Sequence, residues 1–200
     1  LLTDVQLIEI NMFEDMFKSS ITGSIIVIDT RNIIETIPLI GQERLALKIV
    51  TPSLSAKKDI IDFSENHFFI YKITSRAELN AGSQTYQLQF ISAEAIKNSR
   101  KRVSKSYYKQ KSNISEIVFD LLAEDKDGVQ TSKDVFIEET VGNRAIVLTN
   151  SNPYTTINKL LKEAVSKKGS PHYVFFENKN GIHFKTLQSI YEQDISAEYH

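Results

Sequence analysis

The sequence predicts an α+β chain: strands fill its first half, and two amphipathic helices and a hairpin follow in its second. Three observations carry this. Tyr86, Leu88 and Phe90 alternate with Gln87 and Gln89, the period of two expected of a strand with one buried face. Ile114, Ile117, Val118, Leu121 and Leu122 recur at helical spacing behind Asn113 and Glu116, which are spaced as a capping box. Asn180-Gly181 stands between two apolar runs, the strongest short-range hairpin signal.

Taken in order, Val5, Leu7 and Ile10 open an apolar pattern that a helical turn at Glu14-Asp15-Met16-Phe17 interrupts. Residues 23–28 are short and β-branched, which suits a buried strand, and Asp29-Thr30-Arg31-Asn32 breaks it. Pro38 and Gly41 bracket a turn. Leu45, Leu47 and Ile49 alternate with Ala46 and Lys48 as one strand that Pro52 ends. Between Ile60 and Leu79 the pattern fits one bent strand or two strands with a kink near Ser64-Glu65-Asn66. A turn at Asn80-Ala81-Gly82-Ser83 then makes 68–79 and 84–91 a long hairpin.

Helices are expected over 113–124 and 153–166. The second opens on Asn152-Pro153, a cap followed by proline where no amide hydrogen is needed, and Gly169 and Pro171 stop it. A hairpin over 172–187 follows. The change of pattern falls within 93–112 and divides the chain into domains at 1–97 and 98–200.

The chain has 200 residues, 41% hydrophobic and 24% charged, with a net charge of −1. Those values fit a packed core and argue against bulk disorder or a nucleic-acid partner drawn by overall charge. No apolar run is long enough for a membrane-spanning helix, and nothing marks a membrane partner. The absence of cysteine removes disulfides, thiolate nucleophiles and thiolate metal sites together. Leu1-Leu2-Thr3-Asp4 has neither a basic flank nor an initiator methionine, so it reads as a chain whose first residues are missing rather than as a signal peptide.

No catalytic constellation stands out, and no cofactor or metal is expected. The seven glycines are scattered, so nucleotide-binding loops and nucleophile elbows are absent. His67, His172, His183 and His200 lack metal-ligand spacing, although His172 and His183 can approach across their hairpin. Around Gly128, Asp125 and Asp127 supply too few ligands for a calcium loop and Asp134 replaces its glutamate, so the stretch reads as a solvated helix end. Glu138, Glu139 and Glu163 are ordinary surface acids unless a pocket raises a pKa. The sharpest local feature is basic: Arg100, Lys101, Arg102, Lys105, Lys109 and Lys111 surround Tyr107-Tyr108. Such interleaving fits single-stranded nucleic acid, a solvated connector, or a loop that meets an acidic partner. Of these we expect an assembly contact at Arg100, Lys101, Arg102 and Lys105, facing carboxylates such as Glu138 or Glu139 of an adjacent chain. A nucleic-acid-binding module using 100–111 is the alternative.

Three segments resemble a known family: 69–73 with 86–94 running into 98–107; 113–122; and 152–154 with its helix, 173–177 and 181–184. Their order, with Ile21-Thr22-Gly23-Ser24, Asp29-Thr30 and 38–43 upstream, resembles the central baseplate hub proteins of contractile-tailed bacteriophages, related to type VI secretion spike proteins. The resemblance implies two tail-tube-like β-barrel or sandwich domains with packed helices and no catalytic residues. It further implies a homotrimer forming a pseudo-hexameric ring in the virion baseplate, assembled in the host cytoplasm. Its partners would be the tail tube protein and the central spike protein, with baseplate wedge proteins as further neighbours and no sequence-specific nucleic acid. Hubs of this family are longer than 200 residues, so the chain looks C-terminally incomplete.

Overall fold

A computed structural model describes residues 5–36, 41, 43–50, 60–80, 82–108, 112–123 and 127–193. The expectations for Pro38, Pro52, Lys109, Lys111, Asp125 and His200 lie outside the described residues. The chain is mostly β with short helices, and it divides into two compact units, 1–14 with 20–96 and 15–19 with 97–200.

The first unit is an antiparallel sheet of five strands in the order β1-β2-β7-β6-β3. These are β1 (Val5–Phe13), β2 (Thr22–Asp29), β3 (Arg44–Leu45), β6 (Phe68–Asn80) and β7 (Ser83–Ser92). The expected alternation on β7 is complete: Gln84, Tyr86, Leu88, Phe90 and Ser92 are buried and every residue between them is half-buried. Its apolar face packs on Ile25, Val27, Phe68 and Ile70, and Phe63 and Phe90 flank the Phe68 ring at centroid distances of 4.9 Å each. Burying a phenylalanine this fully contributes about 1.5–3 kcal/mol.

One expectation fails here. Residues 45–49 are not one strand: β3 pairs with β6, while β4 (Lys48–Ile49) pairs with β5 (Ile61–Asp62) in a separate two-stranded sheet. The alternation was real, but the strand changes partners at Ala46-Leu47, where the Leu47 carbonyl accepts from the Phe63 amide at 2.7 Å. The strand ends at Asp29 as expected, and a short helix, α1 (Ile33–Thr36), follows the break. The fully buried Asp29 carboxylate supports it, accepting from the amides of Arg31 and Ile34 and from the Tyr86 hydroxyl. Burial, with the charge of Asp29 and the hydrogen bond to it, pushes the Tyr86 hydroxyl pKa up to about 12.

The dividing point between the units falls inside α2 (Ala93–Arg100). In the second unit, α3 (Ile114–Leu122) has the expected capping box: the Asn113 side chain accepts from the Glu116 amide, and the Glu116 carboxylate accepts from the Asn113 amide. The second expected helix is shorter than the sequence suggests. α4 (Pro153–Leu160) ends in tight turns, and its continuation is recruited elsewhere. Ser166 bridges Thr140, and the Val165 carbonyl accepts from the Val141 amide. A helix through 166 would leave those groups unpaired.

β11 (Tyr173–Asn178) and β12 (Gly181–Thr186) form the expected hairpin, with β9 (Val135–Ile137) added parallel to β12. The turn residues are Lys179-Asn180, neither with positive φ, so this is not the mirror-image turn that an Asn-Gly centre favours. Glycine is used one place later: Gly181 has φ +143°, and a Cβ there would lie 2.2 Å from the Asp134 carbonyl. The core joins both helices to the sheet through Ile117, Leu121, Ile157, Leu160, Phe175 and Phe184.

The described middle of the basic stretch is regular rather than a loop. Val103–Tyr107 is a strand, β8, antiparallel to β10 (Ile146–Ser151), with Val103 and Tyr107 buried. Its alternation was hidden because the half-buried middle position is Lys105, whose long stem lets the charge reach Asp120.

Candidate assembly surface

Two features of the five-stranded sheet are open to a partner. The first is its less apolar face, where the register aligns Asn11, Ser24, Gln89 and Lys72 in one row and Glu9, Ile26, Gln87 and Thr74 in the next. The Tyr71 hydroxyl donates to Gln89 and the Thr74 hydroxyl to Gln87, each at 3.1 Å. Side-chain amides bound laterally in this way hold a polar surface flat, because each partner limits the other's rotamers. The second is β1, an edge strand of the sheet, on which Leu7, Ile8 and Phe13 are all more than half exposed. An edge strand carries unpaired backbone donors and acceptors, and apolar side chains upon it invite another chain. The alternation of β7 announced the first feature; exposure of β1 was not legible from its apolar pattern.

The four basic candidates do not converge. Arg100 is exposed at the end of α2, and Lys101 follows it. Arg102 turns back onto its own backbone and donates to the carbonyls of Ser99 and Lys101. The Lys105 ammonium lies 2.7 Å from the Asp120 carboxylate, which also accepts from Tyr107. The suggested acidic partners are engaged within the chain. Glu138 accepts from the Thr186 amide at 2.7 Å and from its hydroxyl. Burial alone would raise the Glu138 carboxyl; bonds from Thr186 and Ser189 and the charge of Lys168 outweigh it and hold it low. Glu139 pairs with Lys167, and Glu163 with Arg144.

His172 and His183 do not meet. His172 precedes β11 and is exposed, whereas His183 pairs in register with Phe176 and with Phe136. Its ring stacks between theirs at 4.7 and 4.8 Å with interplanar angles of 12°. Its Nε2 lies 2.9 Å from the Asn178 side-chain oxygen. Burial, helped by the Lys185 charge, pushes the imidazole down to about 4, so it is neutral at physiological pH. Gly128 is buried against α3, where a Cβ would lie 1.9 Å from the Leu121 carbonyl; its place in the sequence reflects packing rather than a calcium loop. Among the described residues no group of three or more histidines and acids is placed to hold a metal, and no helix is long and apolar enough to cross a membrane.

No family model and no curated protein matches the chain. Solved structures do. The 43 kDa tail protein of prophage MuSo2 from Shewanella oneidensis is similar with a TM-score of 0.53 at 7% identity, over 90% of this chain and 53% of that one. The E. coli c3393 protein is similar with a TM-score of 0.58 at 15% identity, over 94% of this chain and 48% of that one. It is a type VI secretion component described as structurally similar to the T4 tail proteins gp27 and gp5. The chain thus spans about half the length of these neighbours. The hub-like resemblance read from the sequence holds at the level of the fold.

Proposed function

We propose that the chain is a non-enzymatic structural part of a contractile phage tail, a baseplate hub component in the virion. In this reading three copies form a ring of six tube-like β units. The ring meets the tail tube protein on one side and the central spike protein on the other, with wedge proteins as further neighbours. The observation that carries it is the edge of the five-stranded sheet: among the described residues β1 has a strand neighbour on one side alone, and it exposes Leu7, Ile8 and Phe13. A neighbouring copy in a ring would cover both. The fold shared with a prophage tail protein and a secretion component supports the same reading. The glutamine- and threonine-bearing face suits a channel wall, since its amides partly satisfy one another and present little that is sticky. Of the basic residues, Arg100 and Lys101 remain best placed to meet a neighbour's carboxylates, because Arg102 and Lys105 are held within the chain.

Sedimentation and negative-stain microscopy at matched concentrations test this. The chain is expected to form three-fold rings, and Leu7→Glu with Ile8→Glu to yield folded monomers. A chain that is monomeric at about 100 μM and shows no rings overturns the proposal. Tight, steeply salt-dependent binding of single-stranded DNA would favour a nucleic-acid module instead.

A further inference from the structure

β9 is three residues long and pairs parallel to β12. So short a strand has few ladder bonds to fix its alignment: the Ile182 amide donates to Asp134 and the Glu138 amide to Phe184, at 2.9 and 2.8 Å. A slip of one residue would exchange the faces of Phe136 and Ile137. Lys133 stands two positions before β9. It is buried, and its ammonium pairs with the Glu177 carboxylate of β11, the two side chains being 3% and 0% exposed. Removing two charges from water is costly, and only close pairing compensates. One step of slip moves a strand by about 3.3 Å, enough to part the two charges. The same alignment sets Phe136 beside His183 and completes the ring stack.

We propose that the buried Lys133–Glu177 ion pair is a register pin, selecting the one alignment of β9 on β12 that assembles the Phe136–His183–Phe176 stack. Its contribution is to specificity rather than to net stability. Apolar replacements of similar volume would keep the fold while freeing the register; an exchanged pair would keep both.

Proton NMR of the full chain tests this, because ring currents from the two phenylalanines mark the His183 imidazole. In Lys133→Met with Glu177→Leu, cooperative unfolding at an undiminished denaturant midpoint is expected. The His183 signals should split or lose their ring-current shifts, and the Phe136–His183 cross-peaks should be lost. The exchange Lys133→Glu with Glu177→Lys should restore a single native set. Native His183 signals and cross-peaks in the apolar variant would overturn the pin. If the apolar variant does not fold, the exchanged chain decides: native signals support the proposal, and altered signals or failure to fold overturn it.

Discussion

The two hairpins of this chain solve the same problem differently. β6–β7 is long and has three irregularities in its register, near Tyr71, between Thr74 and Ala77, and near Leu79. β11–β12 runs from Tyr173↔Thr186 to Asn178↔Gly181 without one. Burial explains the contrast. β6 is largely exposed beyond Ile70, whereas all but a few residues of β11 and β12 are buried. An extra residue in a strand turns its later side chains to the other face. Where that face meets water, the shift costs little, and Ser75 even adopts φ +53° within the strand. Where both faces are packed, one bulge would misplace a core phenylalanine and a stacked ring together. A two-faced strand therefore demands strict register, and a one-faced strand tolerates irregularity.

The largest expected effects should not distinguish the hairpins. Phe90 and Phe184 are both wholly buried, so Phe90→Ala and Phe184→Ala should each cost about 3–5 kcal/mol in urea unfolding. A much smaller loss at Phe90 would mean that the β7 core is less packed than that of β12, and would break the comparison. The opposite faces should then separate them. His183→Ala removes two ring contacts, each contributing about 0.5–1.5 kcal/mol. Gln87→Ala, on the polar face, should change stability by about 0.5 kcal/mol or less. Equal losses at these two positions would contradict the distinction between one-faced and two-faced strands.

His183 also imposes a pH dependence. The folded His183 pKa, about 4, lies below the ordinary 6.5. Below 6.5 the unfolded chain takes up a proton there that the folded chain refuses, so this stabilisation is complete above 6.5 and declines as pH falls towards 4. Unfolding midpoints from about pH 7.5 to about pH 4 should fall less steeply in His183→Phe than in the unaltered chain; equal slopes would show that His183 is not held neutral by its surroundings.

The same physics separates what was legible in the sequence from what was not. Period-two alternation identified β7, helical spacing and a capping box identified α3, and the Asn-Pro start identified α4, because each is a local pattern imposed by backbone geometry. β8 was misread because Lys105 occupies a half-buried position, where its ammonium meets Asp120, which is distant in sequence. α4 ends early because Ser166 is claimed by Thr140, another non-local partner. The ring stack of His183 was not legible, since nothing adjacent in sequence reveals that Phe136 aligns with it. Among the candidate assembly residues, the sequence could count the charges but not show that Arg102 and Lys105 have partners within the chain.

By itself, then, the sequence determined β7 with its alternating burial, α3, the start of α4 and the second hairpin through hydrophobic periodicity and turn chemistry, while the order of its segments carried the resemblance to the hub fold. Tertiary structure alone decided that the strand at 45–49 changes sheets, that Lys133 and Glu177 meet out of water, and that β1 is left at an edge with its apolar side chains exposed. Those outcomes depend on which strands lie side by side. Strand pairing is a competition among non-local contacts whose energies no single segment carries.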